Sequence, residues 1–528
     1  MQQAPVSQSI AVSGPTRNEK ILFWASFFTL IAEGMGFSVR GGILLDWSRQ
    51  FGFTQSDLGG ITGGGLTGFG ITIIAFSIFA DRVGYGRLMV TAFLLHFSSA
   101  VVTLAATPIF HAYGKEAAYQ CLYWGMFLFA LGNGTCEAVI NPLTATMFPR
   151  RKTHWLNILH AGWPAGLLLG ALVGVFFKMV GNVRWEVQMS MFLIPTLAYG
   201  VMMVGRHFPP SETRASGITF ITMLKEFASP LLLFLLVLHA LQGYMELGTD
   251  SWISNITGSI MESPSRGLML FMWTSALMLG LRFFAGPIVH RISPIGLLFC
   301  GAATAAVGLL LLGHAATAQG CLIAATIYGV GKTFNWPTML GVVSERFPRG
   351  GALTLGVMGG VGMLSAGLLG SPGIGYTQDH YASHYLERVA PHTYERYMSD
   401  RPKGFLFFHK IVGLDGSKVA ILSDGGAQLQ RDLEIAGSKD PHLNTLNAWW
   451  QQAKAFEHED GPPVKAATLH GDKKAMTAIA VVPTLMALGF LILLIYFRTI
   501  GGYKAQVIAG HAARDEKFLG GVEGTAGL

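Results

Sequence analysis

Charge is what this chain has least of. Only 13% of its 528 residues are Asp, Glu, Lys or Arg, against roughly 25% in an ordinary soluble domain. A surface wetted on all sides is thereby excluded. Cysteine is scarce too: Cys121, Cys136, Cys300 and Cys321 sit inside apolar runs, show no metal-ligand spacing and say nothing of the redox compartment. Catalytic signatures are missing. There is no H-E-x-x-H pair, no Gly-rich phosphate loop with its lysine, and no nucleophile set beside a base. An enzyme, a pump driven by hydrolysis, a metal and a cofactor are accordingly not expected. The net charge of +7 lies largely in short loops on one side of the expected topology. It reads as a membrane orientation signal, so no nucleic-acid partner is expected.

What the sequence has in quantity is apolar length. Hydrophobic residues make up 51% of it, in repeated runs of the ~20 residues needed to cross a bilayer. The patterning predicts an all-α membrane protein with spans at 21–45, 56–80, 88–110, 118–147, 155–179, 185–205, 229–256, 266–289, 294–315, 318–346, 352–375 and 474–497. The segment from Ile21 is too long for a signal-peptide core and lacks a cleavage site, so it is expected to remain as the first span. Glycine, at 67 residues, suits close helix packing where water cannot drive association. Arg82, Arg87, Arg150, Arg151, Lys152, Arg206, Arg214, Lys225, Arg291, Arg346 and Arg349 crowd the loops on one side. The positive-inside rule then puts both termini in the cytoplasm of a multi-pass inner-membrane protein.

Residues 376–473 break the pattern: they are polar, mixed in charge, and fall on the extracytoplasmic side. Tyr385–Met398 and Leu443–Phe456 are helical candidates within this insertion. An internal repeat is also visible. The offset that carries Glu33-Gly34-Met35 onto Gln242-Gly243-Tyr244 also carries Asp81-Arg82 onto His290-Arg291. A second offset lays Leu131-Gly132-Asn133 on Val330-Gly331-Lys332, and Phe148-Pro149-Arg150 on the identical Phe347-Pro348-Arg349. Two six-helix halves follow, with the substrate between them. The expected organisation is a cytoplasmic tail at 1–20, a first half at 21–205 and a linker at 206–228. A second half at 229–497 contains the 376–473 insertion, and a cytoplasmic tail fills 498–528.

Ala80-Asp81-Arg82-Val83-Gly84-Tyr85-Gly86-Arg87 resembles the G-x-x-x-D-R-x-G-R-R signature of the major facilitator superfamily, with Ser77 in place of the first glycine. Gly280-Leu281-Arg282-Phe283, with Gly286 and Arg291, resembles the weaker copy after the eighth span. The resemblance implies a gating role for Asp81, Arg82, Gly84, Arg87, Arg282 and Arg291. More narrowly, Glu137-Ala138-Val139-Ile140-Asn141-Pro142, then Leu156-Asn157 and His160, is similar to the fucose permease branch of sugar–proton symporters. That branch implies a proton-linked role for Glu137. It also uses a first-span aspartate, where this chain has Val39-Arg40 and an acid two turns earlier, at Glu33.

Ionisable groups inside spans cost at least ~2.5–3.5 kcal/mol at a helix centre, yet this chain keeps Glu33, Arg40, Glu137, Glu246, Asp250 and Lys332 there. They fall on spans one, four, seven and ten, which line the central cavity in the family the chain resembles. Asn133, Glu137 and Asn141 share one helix face, as do His239, Gln242, Glu246 and Asp250, and as do Lys332, Asn335 and Trp336. Such faces point at water or at each other. Glu137, Glu33 and Glu246 are the proton-coupling candidates. Arg40, Asn133, Asn141, Asn157, His160, Gln242, Tyr244, Asp250, Lys332, Asn335 and Trp336 are the substrate-binding candidates. The expected function is secondary active transport of a small polar solute, a sugar, by proton symport with alternating access, in a monomer. An organic anion carrier or exchanger on the same fold, with Arg40 and Lys332 holding the anion, is the alternative. A non-transporting sensor that reads ligand through 376–473 is a third reading.

Overall fold

A segment surrounded by lipid has to satisfy its own backbone N–H and C=O groups, which a helix does internally. The computed structural model of the chain is built on that rule. It describes residues 16–506 except 54, 63–64, 150, 182 and 437–439, together with 508, 518–519 and 522–523. Arg150 and residues 1–15, on which part of the topology reading rests, lie outside the described residues.

Among the described residues, twelve spans follow one another in order. The first is Arg17–Gly42, opened by a Thr16–Glu19 capping box. Gly65–Val83, Tyr85–Leu104 and Lys115–Met147 follow. The fifth is Lys152–His160 continued by Gly162–Val180, and the sixth is Trp185–Ser190 with Leu193–Met203. The seventh comprises Pro230–Gly243, Tyr244–Gly248 and Thr249–Ile260; the eighth is Pro264–Arg282 and the ninth Ala285–His314. Ala318–Lys332 with Asn335–Arg346 make the tenth, Gly351–Ser365, Ala366–Gly370 and Ser371–Val389 the eleventh, and Glu457–Ile479 with Val481–Thr499 the twelfth. Eight helical stretches among the described residues have the length and apolarity to cross a bilayer; the other spans are shorter, broken or more polar.

The eighth, eleventh and twelfth spans differ most from the sequence reading; the eleventh helix runs past 375 to Val389, so its last turns belong to the insertion. The eighth span ends at Arg282 rather than 289, because Ala285 already starts the next helix, which kinks at Ser293 with φ 66°. Pro294 is the cause: proline disfavours the helical conformation in the residue before it. The twelfth span begins at Glu457 rather than 474, so its first turns belong to the insertion.

The two halves meet along paired seams. The second span packs on the eleventh and the fifth on the eighth. A two-fold that swaps the halves turns one seam into the other, as the internal repeat requires. Small residues set the spacing within each half. On the fifth span Gly162, Gly166 and Gly170 form one face against the first. A Cβ placed on Gly34 opposite would sit 3.0 Å from the Leu167 nitrogen and 3.2 Å from Gly166 Cα. In the other half, π-helical turns at Tyr244–Gly248 and Ala366–Gly370 pack on each other. Local π turns of this kind often mark functional sites.

Residues 376–473 extend the eleventh and twelfth spans and add helices Pro391–Tyr397, Gly416–Ser423, Ala427–Ala436 and Pro441–Ala453. They enclose their own apolar core around Leu386, Tyr397, Leu443, Trp450 and Val464. Asp460, fully buried, is held by Arg396 and by the Thr393 hydroxyl at 2.8 Å. The insertion is therefore an ordered cap over one end of the bundle.

Candidate functional site

Because a buried ionisable group demands a partner, the partners define the site. On the fourth span, Asn141 donates to the Glu137 carboxylate at 2.5 Å, and its oxygen lies 2.9 Å from His160 Nε2. The His160 carbonyl accepts from Arg282 at 2.5 Å. Arg282 also donates to the Thr333 carbonyl at 2.8 Å and lies 3.4 Å from Glu246, which Gln242 holds at 2.6 Å. Every one of these side chains is at most 6% exposed. A continuous chain of polar contacts therefore crosses from one half to the other through dry protein.

Two prolines explain why Arg282 sits there. In a helix the His160 carbonyl would accept from residue 164, and the Thr333 carbonyl from residue 337. Both positions are proline, in Trp163-Pro164 and Trp336-Pro337, and proline has no N–H to give. One guanidinium, with several donors in a rigid fork, satisfies both orphaned carbonyls. The sequence reading assigned Arg282 to the gating signature; the structure places it instead at the centre of the polar chain. An arginine inside an otherwise apolar run was the signal available.

Beside this chain, Lys332 pairs with Asp250 at 2.5 and 2.6 Å and lies over the Tyr328 ring. Glu246 is close enough to interact with Arg282, Lys332 and Asp250. The seventh, eighth and tenth spans thus bring two acids and two bases together. The aqueous chamber expected at this point is, in this conformer, filled by the groups themselves.

Other candidates lie elsewhere. Arg40 was expected to face that chamber, but it lies inside the first half. It donates to the Gly36 carbonyl at 3.1 Å and to Ser99 at 2.7 Å, between the rings of Phe129 and Phe192. Asn133 likewise turns inward, to His96, which bridges to Tyr199. Glu33 is fully buried near Cys136 and Glu137, with neither oxygen hydrogen-bonded among the described residues. Asn335 points at Gly301 of the ninth span rather than toward the first half. Helical spacing groups these side chains with their neighbours in sequence without saying which helix that face meets. Trp336 packs on His239, and Tyr244 is half-buried with its hydroxyl beside Gly373.

At the end bearing the basic loops, the halves are bolted together. Lys152 reaches Glu212 at 2.8 Å and the Ser344 carbonyl at 3.1 Å. Thr153 donates to Glu345 at 2.7 Å, and Asn157 to Thr338 at 3.0 Å. Asp81 accepts from Thr213 at 2.9 Å, and Arg82 lies over Phe220. Gly84 has φ +90°, a conformation that favours glycine. Arg87 and Arg291 are exposed at the same end.

Residues 25–371 match the family model of the Major Facilitator Superfamily. No curated protein matches the sequence. Among solved structures, the chain is similar to the E. coli fucose–proton symporter FucP, at 17% identity with a TM-score of 0.56, covering 69% of this chain and 93% of that one. A bacterial homologue of the human lysosomal transporter Spinster, inward-facing, is similar at 14% identity and TM-score 0.58, covering 91% and 97%. The human organic anion transporter MFSD10 is similar at 11% identity and TM-score 0.54, covering 89% and 99%. At these identities the likeness concerns the fold.

Proposed function

Because the chain belongs to the major facilitator superfamily, we propose that this membrane transporter moves a small polar solute, a sugar, by proton symport with alternating access. One observation carries the reading: Glu137 and Glu246, on opposite halves, are joined through Asn141, His160 and Arg282. Rocking the halves apart has to break the Arg282–His160 contact, which changes the surroundings of both carboxyls. A carboxyl that alternates between a dry site and one beside a cation binds and releases a proton with each cycle. Glu33, buried next to Glu137 and the Cys136 thiol, is the companion proton site. Asn141, His160, Gln242 and Asp250, uncovered as the seam opens, offer the donors and acceptors that a hydroxyl-rich solute needs. The likeness in fold to FucP, described as a fucose–proton symporter, agrees with this cargo.

In this reading the protein is a monomer in the inner membrane with both termini cytoplasmic, halves at 21–205 and 229–497, and the cap outside. The Asp81, Arg82, Gly84, Arg87 and Arg291 group works the cytoplasmic gate. The test is uptake by proteoliposomes under an inward proton gradient. Glu137→Gln should abolish accumulation of labelled D-xylose or L-fucose while sparing sugar exchange; undiminished accumulation would remove Glu137 as the coupling site.

A second reading, an organic anion carrier, is favoured by Arg40, a buried guanidinium with no carboxylate in contact among the described residues. Labelled carboxylate taken up in place of sugar decides for it.

A further inference from the structure

The cap does more than cover the bundle. Residues 398–414 double back on themselves through antiparallel bridges Met398–Leu414 and Lys403–Ile411. Tyr376 of the eleventh span pins this loop by donating to the His409 carbonyl at 3.0 Å. Between the loop and the outer ends of the seventh and eleventh spans lies a cavity of about 360 Å³, lined among others by Trp252, Ser371, Tyr376, Asp379, Lys403 and Phe405. Small-molecule sites run from roughly 300 Å³ upward, so a single sugar ring fits.

We infer that this cavity is a separate entry site for a neutral polyhydroxylated ring, a monosaccharide, ahead of the central pathway. The inference rests on the sugar reading above. The lining selects the ligand. The Asp379 carboxyl accepts no hydrogen bond among the described residues, and Lys403 is the charge that acts on it. Among the described residues, neither side chain forms a contact ion pair. An anion would satisfy Lys403 and be repelled by Asp379, and a cation would meet the reverse. A neutral ring with several hydroxyls donates to one and accepts from the other, while its apolar face meets Trp252, Tyr376 and Phe405.

The cavity wall also touches the seventh span. A Cβ on Gly373 would lie 2.7 Å from the Tyr244 hydroxyl and 2.9 Å from the Phe405 ring. The bare glycine therefore lets Phe405, in the cavity wall, approach Tyr244, two residues from Glu246 on the seventh span. FucP matches only 69% of this chain while 93% of FucP is covered, so much of this chain has no counterpart there.

The full-length protein in proteoliposomes tests the inference, with labelled D-xylose and L-fucose as probes. Asp379→Asn and Phe405→Ala should each raise KM about fivefold or more and leave the saturating rate unchanged. In a Ser399→Cys variant, which keeps the charged and aromatic lining, saturating sugar should slow labelling by an impermeant maleimide at least threefold over the wild-type background. Unchanged KM with no protection, in protein that transports sugar, overturns the entry site alone. If the wild type transports neither sugar, the entry site falls together with the sugar reading. Protection by an amino acid and not by sugar assigns the cavity to a zwitterion and overturns the inference.

Discussion

At the scale of single residues, two buried arginines make opposite predictions. Arg282 has Glu246 as its partner and two proline-orphaned carbonyls as acceptors. Removing it strands a buried carboxylate, which costs about 3–5 kcal/mol. Arg282→Met should therefore lower the melting temperature of detergent-purified protein sharply and stop transport. Adding Glu246→Gln should restore much of the stability and none of the transport. Additive losses in that double-mutant cycle would mean the two side chains do not interact. Arg40 has no acid in contact among the described residues, so Arg40→Met leaves no stranded charge there and should destabilise far less. Net charge inside the spans is thus a poor guide to stability; what matters is which partner is left behind.

At the scale of elements, the seam between cap and bundle is rich in half-hidden acids. Burial pushes Asp379 and Asp472 up to about 6, and it raises Asp432 as well. An aspartate of ordinary value 3.8 that binds its proton more tightly when folded favours the folded state at low pH. That contribution is present below about 4, declines as pH rises toward 6, and is gone above it. Melting followed in detergent should accordingly show a more stable protein at pH 5 than at pH 7.5. Asp472→Asn, which keeps a hydrogen-bonding partner for Gln378, should flatten the trend. A slope of the opposite sign would mean that these carboxyls are not sheltered by the cap. The spans themselves follow local rules: Pro294 breaks the ninth, Pro230 opens the seventh, and glycine faces bring the first and fifth together.

For the whole molecule, the alternating-access reading proposed above makes this the state closed at its basic end. The basic end is closed by Lys152, Thr153 and Asn157 reaching across to the second half. Lys152→Met removes the contact to the Ser344 carbonyl together with the ion pair to Glu212 in the linker, and should shift the population toward opening at that end. Hydrogen exchange should report it, with amides in 152–160 and 335–346 exchanging several-fold faster than in the wild type. No change would place the closing force elsewhere, in the paired seams of spans two with eleven and five with eight.

Much was legible beforehand because lipid imposes strict rules. Run length gave the spans, tripeptides similar at fixed offsets gave the two halves, and polar residues in apolar runs singled out Glu137, His160's neighbourhood, Gln242, Glu246, Asp250 and Lys332, which lie at the seam or beside it. Arg282 was misplaced because its local motif suggested a loop end, and Arg40, Asn133 and Asn335 because a helix periodicity identifies a face without orienting it. The sequence by itself determined that polar side chains buried in lipid must find partners. Only the tertiary structure decided which ones they found, since rotation about each helix axis is set by packing against neighbours distant in the chain, and by where Pro164 and Pro337 left carbonyls for a guanidinium to fill.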